Sequence, residues 1–217
     1  YKANVGRGVY RTAQTADQRY RDAHGKAADF IGGGEEGLTV LTRNATESIN
    51  IISRGLNWKK GDGIVTTLLE HHSNLLPWIR QKQLGADLKI VKPDSDGLLD
   101  LSDLDSAIKK KTRMVAVSQV SNALGTVLPI KEIGEICRDR GAALLVDGAQ
   151  SVPHMPLNVE DLHCDFLCFS GHKMLSPMGA GVLWMRKEEG VEPLLVGGGM
   201  VEDADVDGAV AKQGYEG

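Results

Sequence analysis

A chain of 217 residues, 41% hydrophobic and 25% charged, is long enough to bury one sizeable core, and its composition is that of an ordinary globular domain. A formal net charge of −4 provides no basic face for neutralising phosphates, which argues against a nucleic-acid partner. No apolar run approaches the ~20 residues a bilayer span requires, so neither a membrane span nor a leader is expected, and three cysteines without framework spacing suit a reducing cytoplasm.

The first element is a helix. Ala13, Ala16, Tyr20, Ala23, Ala27 and Phe30 recur at three- and four-residue spacing, and the pattern stops at Gly32-Gly33-Gly34. A strand over 38–42 leads through a turn into a helix over 45–55. The pattern continues with a strand over 64–68, a helix over 73–84 and a strand over 88–91. A helix over 101–109 ends in Lys109-Lys110-Lys111, a solvated helix end too short to act as a charge block. Next come a strand over 114–118, a helix over 130–140 and a fully apolar strand over 142–146. Strands over 166–169 and 181–185 complete the set. From 188 onward the pattern decays through Pro193 and Gly197-Gly198-Gly199 into an acidic stretch, which reads as a loop or hook that packs on something else.

Unbroken apolar strands separated by helices specify an α/β fold. The expectation is a mainly parallel, seven-stranded sheet with helices on both faces, a three-layer α/β/α sandwich forming one domain over 1–217. In such sheets ligands bind at the carboxyl ends of the strands. Five such ends carry polar or ionisable residues: Thr42 to Thr46, Glu70-His71, Ser118 to Asn122, Asp147 to Gln150 and Ser170 to Lys173.

Arg43-Asn44-Ala45-Thr46-Glu47 stands where a strand turns into a helix. Free N–H groups and the positive dipole end there suit a phosphate, while Asn44 with Glu47 three residues on is equally an ordinary cap. His71, in Glu70-His71-His72-Ser73-Asn74, can lie over an aromatic ring or act as acid–base, or simply cap the following helix. Adjacent side chains do not face the same way, so His71 and His72 are no metal pair. Asn122, in Val120-Ser121-Asn122-Ala123-Leu124-Gly125-Thr126, can donate and accept at once. The alternative is an Asx-turn with Gly125 as its permissive residue.

Asp147 follows an apolar strand, so its carboxylate is expected to be partly buried and to need a partner; Gln150 stands three residues on. Lys173 closes Phe169-Ser170-Gly171-His172-Lys173, where Gly171 is read as allowing a sharp turn so that Ser170, His172 and Lys173 face one ligand. A lysine amine in a confined site is a usable nucleophile. One lysine and one buried acid are what pyridoxal phosphate requires: the amine holds the aldehyde and the acid keeps the pyridine nitrogen protonated. Ser170 lacks Gly-x-Ser-x-Gly context, and no Gly-x-Gly-x-x-Gly or Walker-type loop is present, which sets aside a serine hydrolase and a nucleotide-binding module. Cys164 and Cys168 have no second ligand pair at zinc spacing, so with Cys137 they read as buried structural thiols and no metal site is expected.

With these motifs the chain resembles the large domain of a fold-type I, class V pyridoxal phosphate enzyme, most closely a cysteine desulfurase of the Suf type. The similarity runs from Ala3-Asn4-Val5 to the end and rests on Arg43 to Asn50, Glu70 to Asn74, Val120 to Thr126, Val146 to Gln150 and Phe169 to Lys173. The resemblance implies that Lys173 holds the cofactor and shuttles the Cα proton, that Asp147 pairs with the pyridine nitrogen and Gln150 with the ring's phenolic oxygen. It also implies that His71 stacks on the ring and assists proton transfer. Thr46, Ser170 and His172 would bind the phosphate, Ala45 would also meet the cofactor, and Asn122 would contact the substrate carboxylate.

The implied reaction converts L-cysteine to L-alanine and passes sulfur towards iron–sulfur cluster assembly, with a sulfur-acceptor protein as partner and a homodimer as the working form. The alternatives are another class V enzyme (a selenocysteine lyase, a kynureninase-like hydrolase or an epimerase) or a catalytically silent cofactor-binding piece. Two departures stand out: Gly6 occupies a position where family members usually carry histidine, and none of the three cysteines matches the family's nucleophile. The chain is therefore expected to be a cofactor-binding piece of a longer protein, lacking the small domain with that cysteine and a carboxylate-binding arginine.

Overall fold

A computed structural model describes residues 5, 8–34, 37–187 and 190–195, together with the backbone of 201–204 and 209–211. Gly6, Gly197, Gly198 and Gly199 lie outside the described residues.

The strands are β1 (Gly37–Thr42), β2 (Gly63–Thr67), β3 (Asp87–Val91), β4 (Thr112–Ser118), β5 (Ala143–Asp147), β6 (Phe166–Ser170) and β7 (Gly181–Arg186). They form one sheet in the order β1-β7-β6-β5-β4-β2-β3. All pairings are parallel except those of β7, which runs antiparallel to both β1 and β6. The mainly parallel, seven-stranded expectation therefore holds.

Strand residues alternate between two cores, as the pleat requires. Val115, Val117, Leu144, Val146, Leu167, Phe169 and Trp184 face one side, where α4 (Leu101–Ala107) and α5 (Ile130–Arg140) pack. Met114, Ala116, Leu145, Phe166, Cys168 and Leu183 face the other, covered by α2 (Ala45–Gly55) and α3 (Leu76–Gln83) through Ile49, Ile52 and Trp78. Helix α5 stops at Gly141, whose φ of 69° suits a residue without Cβ, and Arg140 grips Asp105 of α4 through two bonds of 2.8 and 2.7 Å.

Several elements differ from the sequence pattern for physical reasons. The 73–84 helix breaks into a 3-10 turn (His72–Asn74) and α3, whose first turn contains Pro77. Helix α4 ends at Ala107, because Ile108 is extended (ψ 114°) and Thr112 Oγ1 accepts from Lys109 N at 2.9 Å. The three lysines thus form an exposed loop between α4 and β4, not a helix end. Helix α1 (Arg11–Phe30) has its expected span; along its apolar stripe Ala13 is buried, Ala27 packs half-buried against the core, and Phe30 is exposed. A short α6 (Val159–Leu162), capped by Asn158, was not foreseen. The tail also holds an antiparallel pair, β8 (Val201–Ala204) with β9 (Ala209–Ala211), where the sequence pattern suggested only loop. Among the described residues no helix is long and apolar enough to cross a membrane.

Candidate active site

Strand register brings the chemistry to one rim. Ser118 pairs with Asp147, Asp147 with Cys168, and Gly181 with both Thr42 and Ser170, so the carboxyl ends of β1, β4, β5 and β6 are level. They open on a cleft of about 290 Å³. All nine residues singled out in the sequence line it: Ala45, Thr46, His71, Asn122, Asp147, Gln150, Ser170, His172 and Lys173.

Asn44 caps α2 as its sequence context suggested. Its Oδ1 accepts from Glu47 N at 2.9 Å, while the Glu47 carboxylate returns to Arg43 N at 2.6 Å and to the Arg43 guanidinium at 2.9 and 2.6 Å. That guanidinium, through its hydrogen bond above all, holds the Glu47 carboxyl below the usual range. The cap does not use every donor. Ala45 N donates to Ser170 Oγ at 2.9 Å and Ser48 N to Asn44 O at 3.2 Å, but Thr46 N has no acceptor among the described residues. The cap is thus compatible with an anion seat, because it leaves a first-turn N–H free on a residue that lines the cleft.

His71 also caps. Ser73 N donates to its Nδ1 at 3.1 Å, and Ser73 Oγ lies 2.9 Å from the same nitrogen and 2.7 Å from Thr46 Oγ1. An Nδ1 that accepts a backbone N–H leaves the neutral ring with its proton on Nε2, so the imidazole offers a donor there.

Asn122 is exposed at the start of a tight turn closed by Ser121 N to Thr126 O at 2.9 Å. The side chain bracing that turn is Ser121, whose Oγ accepts from Leu124 N at 3.4 Å, so the Asx-turn alternative is not realised; Gly125, at φ 74°, is the permissive residue as expected.

Asp147 is more deeply placed than expected. It is the last residue of β5, only 4% exposed, and its Oδ1 accepts from Ala149 N at 2.9 Å. Burial pushes its carboxyl upward, opposed by that hydrogen bond and by electrostatic interaction with nearby Lys173 and His71. Gln150 is half-buried in the turn after β5. Ser170 ends β6, and His172 (exposed) and Lys173 (half-buried) ride the following 3-10 turn, Gly171–Met174. Gly171 is needed for close approach and not for a left-handed turn: a Cβ there would sit 2.9 Å from Ala180 O. Two residues past Lys173, Leu175 adopts φ 66° with its side chain fully exposed.

Three further residues of the strand-end motifs, to which the sequence attaches no individual role, also belong to the site. Ser73 and Ser118 line the cleft. Glu70 lies behind it, 9% exposed, accepting from Thr67 Oγ1 at 2.7 Å, Asn74 Nδ2 at 2.7 Å and Ser118 Oγ at 2.6 Å. Burial raises its carboxyl to about 7 despite the three donors. Ser118 opens the Ser118 to Asn122 strand end already read from the sequence, whereas the depth of Glu70 has no local signal. Cys137, Cys164 and Cys168 are all buried and unpaired, as expected. Cys164 and Cys168 pack into cores on opposite faces of the sheet, which disposes of a shared zinc ion.

The family model of class-V aminotransferases matches residues 1–216. A probable cysteine desulfurase of Methanothermobacter thermautotrophicus is 44% identical over 213 residues, covering 97% of this chain and 53% of the relative. The apo structure of a cysteine desulfurase from Thermococcus onnurineus NA1 superposes with a TM-score of 0.93 at 47% identity, covering 99% of this chain and 55% of that one. A third protein, SspA, solved in complex with cysteine, superposes with a TM-score of 0.82 at 30% identity, covering 89% of this chain and 57% of that one. The chain spans about half the length of the curated relatives it matches.

Proposed function

Because the chain belongs to the class-V aminotransferase family, we propose that residues 1–217 are the pyridoxal phosphate-binding large domain of a fold-type I cysteine desulfurase. The observation that carries this reading is one cleft lined by the Lys173 amine and by Asp147, a buried carboxylate with a single hydrogen bond among the described residues. The donor set suits a phosphorylated pyridine aldehyde. Thr46 N–H and the hydroxyl of Thr46 offer donors to a phosphate, joined by His172 and by Ser170, whose Oγ is held by Ala45 N. A protonated ring nitrogen is the partner a buried, ionised Asp147 lacks.

Bound there, pyridoxal phosphate supplies an aldehyde that condenses with amines and a ring that takes up the electron pair left at the α-carbon. Lys173 would hold that aldehyde and carry the α-proton, Asp147 would keep the ring nitrogen protonated, and Gln150 would bond the phenolic oxygen. His71, its Nδ1 engaged by Ser73, would meet the ring and has Nε2 left to donate. Asn122, exposed at the cleft mouth, receives the substrate carboxylate.

Cysteine plus an acceptor thiol gives alanine plus a persulfide. The chain's three cysteines do not line the cleft, and burial pushes the thiols of Cys137 and Cys164 up to about 12, so the acceptor thiol comes from outside these residues. A homodimer, a sulfur-acceptor protein feeding iron–sulfur assembly and a reducing cytoplasm complete the proposal, the last supported by three unpaired cysteines.

Borohydride reduction of the protein with pyridoxal phosphate, followed by peptide mapping, is expected to place a pyridoxyl group on Lys173. Labelling spread over surface lysines would refute the cofactor site. With the site confirmed, failure of the loaded protein to convert cysteine to alanine and sulfide would refute the desulfurase assignment alone.

A further inference from the structure

Glu70 has no place in the chemistry above, yet its surroundings are unusual for a structural residue. A carboxyl so buried costs several kcal/mol in its charged form, and apolar packing would serve the fold as well. Here three side chains from separate elements converge on it: Thr67 from the end of β2, Asn74 from the 3-10 turn and Ser118 from the end of β4. Asn74 is itself fixed by Trp78 Nε1 at 3.1 Å, and Thr67 Oγ1 accepts from Leu69 N at 3.1 Å. Only Ser118 of this group also lines the cleft.

A hydroxyl can reverse. With Glu70 ionised, Ser118 Oγ–H points at Oε2, 2.6 Å away. With Glu70 protonated, Oε2–H donates to Ser118 Oγ, and the serine hydrogen turns towards the cleft. We propose that Glu70 is a buried proton reservoir that exchanges with the cleft through the hydroxyl of Ser118. The step balances without a charged serine. A donor in the cleft passes its proton to Ser118 Oγ while the serine's own proton passes to Glu70 Oε2, and the reverse path returns it.

A midpoint of about 7 gives both states weight near neutrality. The ionisable groups around it are few. Cys168 on β6 feels the charges of both Glu70 and Asp147 of β5, His71 and His72 follow Glu70 in sequence, and β4 and α3 contribute only the neutral Ser118 and Trp78. The inference rests on the protein's own side chains and needs no particular cofactor.

Infrared difference spectra of the whole protein, without added cofactor, stepped from about pH 5 to about pH 9, test it. A carboxylic-acid carbonyl band titrating near neutrality is expected, retained in Asp147→Asn and lost in Glu70→Gln. On transfer to D2O that band shifts as the carboxyl exchanges. Ser118→Ala is expected to slow the shift on the order of tenfold, the effect of roughly 1.4 kcal/mol on a barrier, and Ser118→Thr, which keeps a hydroxyl, to restore it. A band that survives Glu70→Gln overturns the proposal. So does exchange as fast in Ser118→Ala as in the wild type, with Ser118→Thr as the folded control.

Discussion

Replacing Glu70 by Gln alters the pH dependence of stability in a direction the structure dictates. The glutamine amide is nearly isosteric with the carboxyl. Its oxygen can accept from Asn74 and Ser118, while its NH2 meets Thr67 Oγ1, whose hydrogen turns away. The fold is therefore retained and the titration is removed. In the wild type the carboxyl moves from an ordinary 4.5 to about 7, so at high pH its ionisation costs the native state about 3 kcal/mol.

The sign follows from proton uptake. The native carboxyl binds its proton more tightly than the unfolded one, so its contribution is full below 4.5, declines towards about 7 and is lost above it. Asp147 and Asp165 are also raised by burial, but they are common to both proteins and cancel in the difference. Urea unfolding at a series of pH values measures that difference. The variant is expected to gain about 3 kcal/mol on the wild type between about pH 5 and about pH 8. A difference flat to within about 0.5 kcal/mol, or one moving towards the wild type as pH rises, would refute a neutral buried Glu70.

Three further outcomes follow from named contacts. Gly181→Ala places a Cβ 2.6 Å from the Asn44 backbone, so the start of β7 and the α2 cap must separate. A stability loss of about 1–3 kcal/mol and weaker pyridoxal phosphate binding are expected, read by unfolding and by cofactor fluorescence. Asn44→Ala removes the bond to Glu47 N and is expected to cost about 1 kcal/mol in urea unfolding. Cys137, Cys164 and Cys168 are expected to resist a thiol reagent in the native protein and to react together in denaturant, because burial raises all three. Fast labelling of any one before unfolding would contradict their placement.

Much of the architecture was legible because apolar runs announce strands and polar residues at their ends announce a rim. The direction of β7 was not: 181–185 reads as a buried strand whichever way it runs, and only its partners Thr42 and Ser170 decide. The Ala13-to-Phe30 periodicity correctly gave a helix, but not how deeply each residue of the stripe is covered: Ala13 is buried, Ala27 half-buried and Phe30 exposed. At the site, motif residues were found because each stands at a strand end. Ser73 and Glu70 stand in one of those motifs, but their individual roles were not legible, because the partner Thr46 of Ser73 is 27 positions away and the partner Ser118 of Glu70 is 48 positions away.

The place of β1 also sets a timetable for synthesis. Residues 37–42 are made early, but among the described residues their sole strand partner is β7, residues 181–186. The Ala45 to Ser170 bond likewise spans 125 positions. While the ribosome adds the intervening segment, β2 to β6 can pair as they emerge, whereas β1 waits. At ~5–20 residues per second that interval is on the order of ten seconds. The junction of Ala45 with Ser170 is thus begun early and closed late. During the wait β1 offers an unpaired edge to chaperones or to a neighbouring nascent chain.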